Sequence, residues 1–232
     1  MHSRRLLEIC VESVERAVAA EQGGADRIEL CGNLALGGIT PSEREMMAAV
    51  ANCSLPIFAM IRPRGGNFIY TDDEFAAMQT AIRLTKQVQV VGVVLGILTE
   101  ESRVDVPRTR ALVEVAKPAP VTFHRAFDEC ADLSQALEDV IATGCARILT
   151  SGGAPSALAG RDRLAELVRN AGRRIGIMPG GGITAANVSA IAQATGAGEF
   201  HAALSSVVPA GHATDKFAVE VQALAASLRN SG

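Results

Sequence analysis

The chain contains 232 residues, of which 48% are hydrophobic and 20% charged, and its formal net charge is −3. That length suits one α/β domain and is short for two. A weakly acidic chain with no basic stripe and no aromatic series lacks the electrostatic footprint of a nucleic-acid-binding protein. The first apolar run is interrupted at Glu8, and no stretch reaches the ~18 apolar residues of a membrane helix. We therefore predict a cytoplasmic protein with neither nucleic-acid nor membrane partners.

Five cysteines are distributed along the chain, at positions 10, 31, 53, 130 and 145. An odd number without a Cys-x-x-Cys pair argues against both a disulfide framework and a zinc ribbon. Reduced thiols are the expected state.

Short β-branched or apolar runs alternate with amphipathic stretches, a pattern typical of parallel strands joined by crossover helices. Strands are predicted at Leu6–Val11, Arg27–Cys31, Ile57–Arg62, Val90–Leu95, Val121–Phe127, Arg147–Ser151, Ile175–Pro179 and Glu199–Ala203. Eight such units close a barrel, and no linker or charge block divides the chain. We predict a single-domain α/β protein, a (β/α)8 TIM barrel spanning residues 1–232. An open doubly wound sheet is the alternative, because the same alternation is compatible with it.

Helix boundary signals support this division of the chain. Thr71-Asp-Asp-Glu74 is typical of a capping box, and Thr184 is placed to cap the seventh helix. Gly23, Gly144 and Gly172 lie where helices are expected to end.

Polar residues on the first two predicted strands indicate what the barrel interior contains. Side chains alternate along a strand, so a polar residue between apolar ones faces either the lumen or the drier helix layer. Glu8 and Cys10 share one face of strand 1, and Glu29 and Cys31 share one face of strand 2. Each strand is therefore expected to point a carboxylate and a thiol inward.

Further polar residues come from strands 3, 5 and 8, where the sequence places Arg62, His124 and His201. Burying such groups without partners would cost several kcal/mol, so they should pair with one another or with a ligand. Two interpretations stay open. One is an internal ion-pair network, and the other is a pocket at the C-terminal strand ends, where barrel enzymes place their chemistry. In the pocket interpretation the candidate catalytic residues are Glu29, Arg62, His124 and His201.

Glycine-rich segments follow strands 6 and 7, namely Thr150-Ser-Gly-Gly153 and Pro179-Gly-Gly-Gly-Ile-Thr184. Glycines there let backbone amides approach an anion, and a helix N-terminus favours negative charge. Tight strand-to-helix turns are the alternative explanation. The predicted anion-binding residues are Arg62, Arg64, Ser151, Gly152, Gly153, Gly180, Gly181 and Gly182.

Six longer blocks of sequence are distinctive and spread along nearly the whole chain. They are Leu7-Glu-Ile-Cys10, Gly24-Ala-Asp-Arg-Ile-Glu-Leu-Cys31, Gly37-Gly-Ile-Thr-Pro-Ser42, Ile61-Arg-Pro-Arg-Gly-Gly66, Phe123-His-Arg-Ala-Phe-Asp128 and Leu149-Thr-Ser-Gly152. In these blocks the chain resembles the CutC family. The resemblance implies a (β/α)8 barrel, a cytoplasmic location and a link to copper homeostasis.

The resemblance makes Cys10 and Cys31 the candidate metal ligands. Soft Cu(I) prefers thiolate and thioether ligands, so Met60 or Met178 is a candidate third ligand. Because both cysteines point inward from neighbouring strands, we expect their sulfurs to lie within about 4–5 Å of each other. Packing of two small core thiols is the alternative explanation. The chain departs from the family pattern at Val11, where many relatives carry a second consecutive cysteine.

Three functions are therefore left open by the sequence. The first is a copper-binding homeostasis protein that uses its thiols. The second is an enzyme acting on a small phosphorylated or carboxylated substrate, with His124 or Glu29 as general acid or base and Arg62 as anion clamp. The third is a divalent metal held by Glu8, Glu29, His124 and His201. The expected partners are a copper ion or a small molecule, and the expected assembly is a homodimer.

Overall fold

The computed structural model describes residues 4–204, 207–208 and 214–231, in which eight strands alternate with eight α-helices. The strands are β1 (Leu6–Val11), β2 (Arg27–Leu30), β3 (Ile57–Met60), β4 (Gly92–Leu95), β5 (Val121–Phe123), β6 (Arg147–Thr150), β7 (Gly176–Pro179) and β8 (Glu199–Ala202). The helices are α1 (Val14–Gln22), α2 (Glu43–Asn52), α3 (Asp72–Gln87), α4 (Val106–Ala116), α5 (Leu133–Thr143), α6 (Arg161–Ala171), α7 (Val188–Thr195) and α8 (Thr214–Arg229).

All eight strands belong to one parallel sheet with the order β7-β6-β5-β4-β3-β2-β1-β8. The two strands at the ends of this order, β7 and β8, lie next to each other, so the sheet curls into a ring. Sequential order around a ring distinguishes this fold from a doubly wound sheet, whose strand order reverses at a switch point. The predicted (β/α)8 TIM barrel is confirmed.

Several strands end earlier than the sequence pattern predicts. β3 ends at Met60 rather than Arg62, and β5 ends at Phe123 rather than Phe127. After β5 the chain forms a 3-10 helix over Arg125–Glu129, and the His124 side chain caps it by accepting the Ala126 N–H at Nδ1. A side-chain cap of this kind competes with strand pairing. Arg62 and His124 therefore lie just beyond the strands, on the loops of the C-terminal face.

The helix boundaries agree with the sequence signals at four of five positions. Thr71 and Glu74 form a complete capping box, and Gly23, Gly144 and Gly172 are the residues at which α1, α5 and α6 end. None of the helices within the described ranges is long and apolar enough to cross a membrane.

The prediction for Thr184 is wrong, because α7 begins at Val188 and Asn187 precedes it. The Asn187 side chain accepts the Thr184 N–H and donates to the Gly182 carbonyl. These two bonds close a turn over residues 182–187, so the helix starts one turn later than the threonine suggests.

Two apolar clusters build the core. The larger one lies between the outer face of the strands and the helices. The smaller one lies inside the barrel and consists of Cys10, Cys31, Phe58, Met60 and Val94. Because side chains alternate along each strand, the inward face is free to carry a different set of residues from the helix-facing core.

Candidate functional site

An ion-pair network occupies the N-terminal part of the barrel lumen. Arg27 Nε donates to the Glu8 carboxylate, and Arg27 Nη2 donates to Glu199 at 2.6 Å. Arg147 donates to the same Glu199 oxygen at 3.1 Å. Both guanidinium groups stack on the Phe58 ring, at 4.9 and 5.1 Å from its centroid. The ion-pair interpretation therefore holds for Glu8, and its cationic partner is Arg27.

His201 connects this network to the upper part of the lumen. Its Nδ1 lies 2.8 Å from Glu8 Oε1, and its Nε2 lies 3.9 Å from Glu29 Oε1. Burial would lower the pKa of His201, but the charge of Glu29 and the hydrogen bond to Glu8 outweigh it and raise the pKa. The imidazole therefore lies between the carboxyl groups of Glu8 and Glu29, where its protonated form is favoured.

The two inward cysteines lie directly above, with their sulfurs 3.7 Å apart. This is the proximity that strand alternation predicted. Cys31 Sγ also lies 3.6 Å from Glu29 Oε1. The hydrogen bond with Cys10 would lower the pKa of Cys31, but burial and the charge of Glu29 outweigh it and raise the pKa to about 11. The hydrogen bond with Cys31 and burial also raise the pKa of Cys10, so the protonated form of both thiols is favoured at neutral pH.

The two candidate methionines have different surroundings. Met60 packs with the two cysteines in the apolar cluster inside the barrel and lines the cavity above them. Met178 instead lies with its sulfur 3.2 Å from an Arg27 nitrogen, in the ion-pair network. Of the two, Met60 is the one placed beside the thiols.

A cavity of about 460 Å³ opens above the thiols at the C-terminal end of the barrel. This volume is within the range of about 300–1,000 Å³ that is typical of small-molecule sites. The structure brings all four predicted catalytic residues to its wall, together with both thiols: Glu29, Arg62, His124, His201, Cys10 and Cys31. Their assignment as catalytic or metal-binding groups stays a prediction.

Among the described residues, Arg62 forms no ion pair with a glutamate, contrary to the ion-pair interpretation of the sequence. One terminal nitrogen donates to the carbonyls of Leu36, Gly37 and Gly38 at 3.1–3.2 Å, and the other donates to the Gly66 carbonyl at 2.6 Å. The two terminal nitrogens that were expected to bind an anion therefore donate to carbonyls of two loops and hold those loops together. Its Nε is buried and has no partner among the residues that the structure describes.

His124 is a neutral imidazole with a defined tautomer. Because Nδ1 accepts the Ala126 N–H, the ring proton is on Nε2. Burial and then the charge of Arg62 lower the pKa of His124 to about 3. The centroid of the His124 ring lies 4.8 Å from the centroid of the Phe68 ring. Nε2 is buried, and within the described part of the chain it has no hydrogen-bond partner.

The segment after β6 already binds an anion, the carboxylate of Asp128. The N–H groups of Ser151 and Gly153 donate to Asp128 Oδ1 at 3.0 Å, and Thr150 donates to it as well. The Gly152 N–H donates to Thr150 Oγ1 at 2.8 Å. These amides therefore hold an internal carboxylate instead of facing the cavity.

The other predicted anion-binding residues also have protein partners. The Gly180 N–H donates to the Thr150 carbonyl at 2.9 Å. Gly181 and Gly182 accept bonds at their carbonyls, and their N–H groups have no acceptor among the described residues. Arg64 pairs with Glu74 at 2.6 Å. Arg62 is the only predicted anion-binding residue on the cavity wall as far as the structure describes it.

Sequence reasoning did not assign a site role to several residues that the structure places here. Phe68, Arg16 and Arg125 line the cavity, and Glu199 and Arg147 complete the ion-pair network below it. Glu199 and Arg147 could have been found from the sequence, because each is a charged residue at the first position of its strand. Phe68 could not, since its position depends on how the loop after β3 folds back.

These observations define a TIM-barrel protein whose lumen carries a thiol pair, two histidines and a buried carboxylate beneath an open cavity. The family profile of the CutC family matches residues 5–206. A CutC family protein of Vibrio cholerae is 48% identical over 205 residues, covering 88% of this chain and 81% of that protein. The copper homeostasis protein cutC homolog of Homo sapiens is 46% identical over 223 residues, covering 96% and 81%. The chain belongs to the CutC family.

Solved structures show the same relationship. The crystal structure of a copper homeostasis protein CutC from Streptococcus agalactiae has a TM-score of 0.81 and 34% identity, covering 85% of this chain and 98% of that one. Thiamine phosphate pyrophosphorylase from Pyrococcus furiosus, with a TM-score of 0.62 and 16% identity, shares the fold.

Proposed function

We propose that this protein binds Cu(I) through Cys10 and Cys31 as part of copper homeostasis, the role for which its human relative is named. The distance of 3.7 Å between the two sulfurs carries this proposal. Two metal–sulfur bonds of about 2.2–2.3 Å that span this distance meet at an angle of about 107–115°. That angle suits a three-coordinate ion rather than a linear one.

The surroundings of the thiols supply candidates for a third ligand. Met60 packs against both cysteines, and its thioether is a soft donor. Cys10, Glu29 and Cys31 also have donor atoms within 4.8 Å of one another. We assign the third position to Met60, because Cu(I) prefers sulfur to a carboxylate oxygen.

Competition titration tests this proposal. The protein and its Cys10→Ser, Cys31→Ser double variant are titrated with Cu(I) against a chelator. We expect the double variant to lose affinity by more than about 100-fold, since removing even outer-sphere partners costs about 10- to 100-fold. Cys145→Ser is the matched control, because Cys145 is buried and bonded to Thr143 away from the cavity. Equal affinity in the double variant would remove the thiols from any metal role.

A second function, binding and conversion of a small anionic molecule, is favoured by the environment of Arg62. This guanidinium is buried, it lies on the cavity wall, and no ion pair with a described carboxylate satisfies it. A buried charge without a counterion is costly, so an anion from solution would stabilise it. A thermal-shift screen with phosphorylated and carboxylated molecules tests this, with Arg62→Lys expected to weaken binding and Arg64→Lys expected to leave it unchanged.

The divalent-metal alternative has less support. One donor atom each from Glu8, Glu29 and His201 lies within 4.8 Å of the other two. Glu8, however, already accepts hydrogen bonds from Arg27 and His201. His124 is not part of that cluster among the residues described. An ion there would have to displace an established ion pair.

We further infer a cytoplasmic location, because all five cysteines are free and the proposed ligands are reduced thiols. A homodimer stays the expected assembly, and light scattering coupled to size-exclusion chromatography measures it directly.

A further inference from the structure

We propose that the cavity binds a small 2-oxo carboxylic acid, whose carboxylate faces Arg62 Nε and whose keto oxygen accepts the hydrogen bond of His124 Nε2. This inference rests on the second function above, since it names the chemical class of the small anion.

Two unsatisfied donors carry the argument. Arg62 Nε and His124 Nε2 are buried and, in the ranges the structure describes, have no acceptor. The residues themselves are only 6% and 4% exposed. A buried N–H without an acceptor loses its hydration with nothing in return, so native structures rarely leave two of them on one cavity wall. A ligand with two acceptor oxygens would satisfy both.

The two donors are close enough for one small molecule. The Arg62 guanidinium carbon lies 4.8 Å from the centroid of the Phe68 ring, and the His124 ring centroid lies 4.8 Å from the same point. Both side chains and Phe68 line the same cavity. The guanidinium carbon and the imidazole centre are therefore no more than about twice this 4.8 Å distance apart, a span that one small molecule with two acceptor oxygens can bridge.

The charge of each donor indicates which kind of ligand oxygen would accept its hydrogen bond. Arg62 is a permanent cation whose bonds all go to neutral carbonyls, so a carboxylate oxygen is its favourable partner. His124 is held neutral by the Ala126 N–H at Nδ1, and a neutral donor suits a neutral keto oxygen. A carboxylate next to a ketone has this pair of oxygens. The rest of the wall includes Leu34, Met60 and Phe68, which suit a short alkyl chain.

Isothermal titration with a matched pair of ligands tests the inference. 2-Oxobutanoate and butanoate differ only in the keto oxygen. We expect the protein to bind 2-oxobutanoate about 3- to 10-fold more tightly, the gain from one hydrogen bond of about 0.5–1.5 kcal/mol. His124→Phe keeps an aromatic ring without nitrogens and should bind both acids equally. No binding of 2-oxobutanoate, or a preference that survives His124→Phe, overturns the proposal.

A measurement on the unaltered protein covers the case in which His124→Phe does not fold. In protein labelled with ¹⁵N-histidine, the His124 Nε2 resonance should shift on addition of 2-oxobutanoate and stay unchanged with butanoate. An unchanged resonance with the oxo acid overturns the proposal.

The outcomes also separate this inference from the proposed functions. If butanoate binds as well as 2-oxobutanoate, the small-anion function stands and only the keto oxygen assignment fails. If no phosphorylated or carboxylated molecule binds, the small-anion function itself fails. Copper binding by the thiols is measured independently in both cases.

Discussion

Glu8 and Glu29 lie on neighbouring strands inside the same barrel, yet their carboxyl groups have opposite pKa shifts. Burial would raise the pKa of Glu8, but the hydrogen bond from His201 and the charge of Arg27 bring it to about 2. Glu29 is equally buried, its one cationic neighbour among the described residues is His201 at 3.9 Å, and burial raises its pKa. The number of cationic partners, rather than the depth of burial, therefore sets the direction in which the pKa of each carboxyl group shifts.

The lowered pKa of Glu8 predicts a pH-dependent contribution to stability. A carboxyl group whose pKa falls from 4.5 to about 2 on folding stabilises the protein fully above pH 4.5, and this contribution is lost as the pH falls toward 2. Glu8→Gln should lower the free energy of unfolding at pH 7 by about 3–5 kcal/mol, because it removes the buried carboxylate that pairs with both Arg27 and His201.

Urea unfolding at a series of pH values measures this difference. The gap between the native protein and Glu8→Gln should be widest above pH 4.5 and shrink below it. Glu138→Gln, which removes a surface pair with Arg174, is the control and should change stability by less than about 1 kcal/mol. A gap that does not depend on pH would show that Glu8 is not ionised in the fold.

Asp128 makes a second prediction at the level of single residues. Its carboxylate accepts the N–H groups of Ser151 and Gly153 and is paired with Arg125 at 2.8 Å. Asp128→Asn should lower the free energy of unfolding by about 2–4 kcal/mol, because the amide places a donor against backbone donors. Chemical denaturation measures it, with exposed Asp162→Asn as control. Equal effects of the two changes would contradict the structure of this loop.

At the level of strands and loops, the residues that the sequence placed correctly inside the barrel were found from the alternation of side chains along each strand. Cys10, Glu29 and Cys31 were placed on the inward face because a strand has a period of two residues, and that rule depends on no distant contact. The partners of Arg62 depend on how two separate loops fold back over the strand ends, which periodicity does not describe. The same holds for Asp128, whose partners come from the loop after β6.

Gly96, the residue after β4, makes a prediction about how that strand supports the site. A Cβ placed there would lie 2.6 Å from two atoms of the His124 ring. Gly96→Ala should push the ring from its position, lowering the free energy of unfolding by about 1–3 kcal/mol and shifting the His124 resonances. Gly198→Ala, where a Cβ meets nothing within 4 Å, is the control. Unchanged His124 resonances in Gly96→Ala would contradict the close packing.

At the level of the whole molecule, the site exists because the barrel closes. β1 pairs with both β2 and β8, so Glu8 lies opposite Arg27 on one side and His201 on the other. The ion-pair network fills the N-terminal half of the lumen, and the thiols and the cavity occupy the C-terminal half. Sequence reasoning posed these as alternatives, whereas the structure contains both, one above the other.

X-ray absorption at the copper edge of the Cu(I)-loaded protein tests the central claim most directly. We expect three sulfur neighbours at about 2.2–2.3 Å from the metal, a distance typical of thiolate–metal bonds, contributed by Cys10, Cys31 and Met60. Met60→Leu should reduce the sulfur count by one and leave the two thiolates. A first shell of nitrogen and oxygen alone, or a spectrum unchanged by Cys10→Ser with Cys31→Ser, would contradict the assignment of this thiol pair as the copper site.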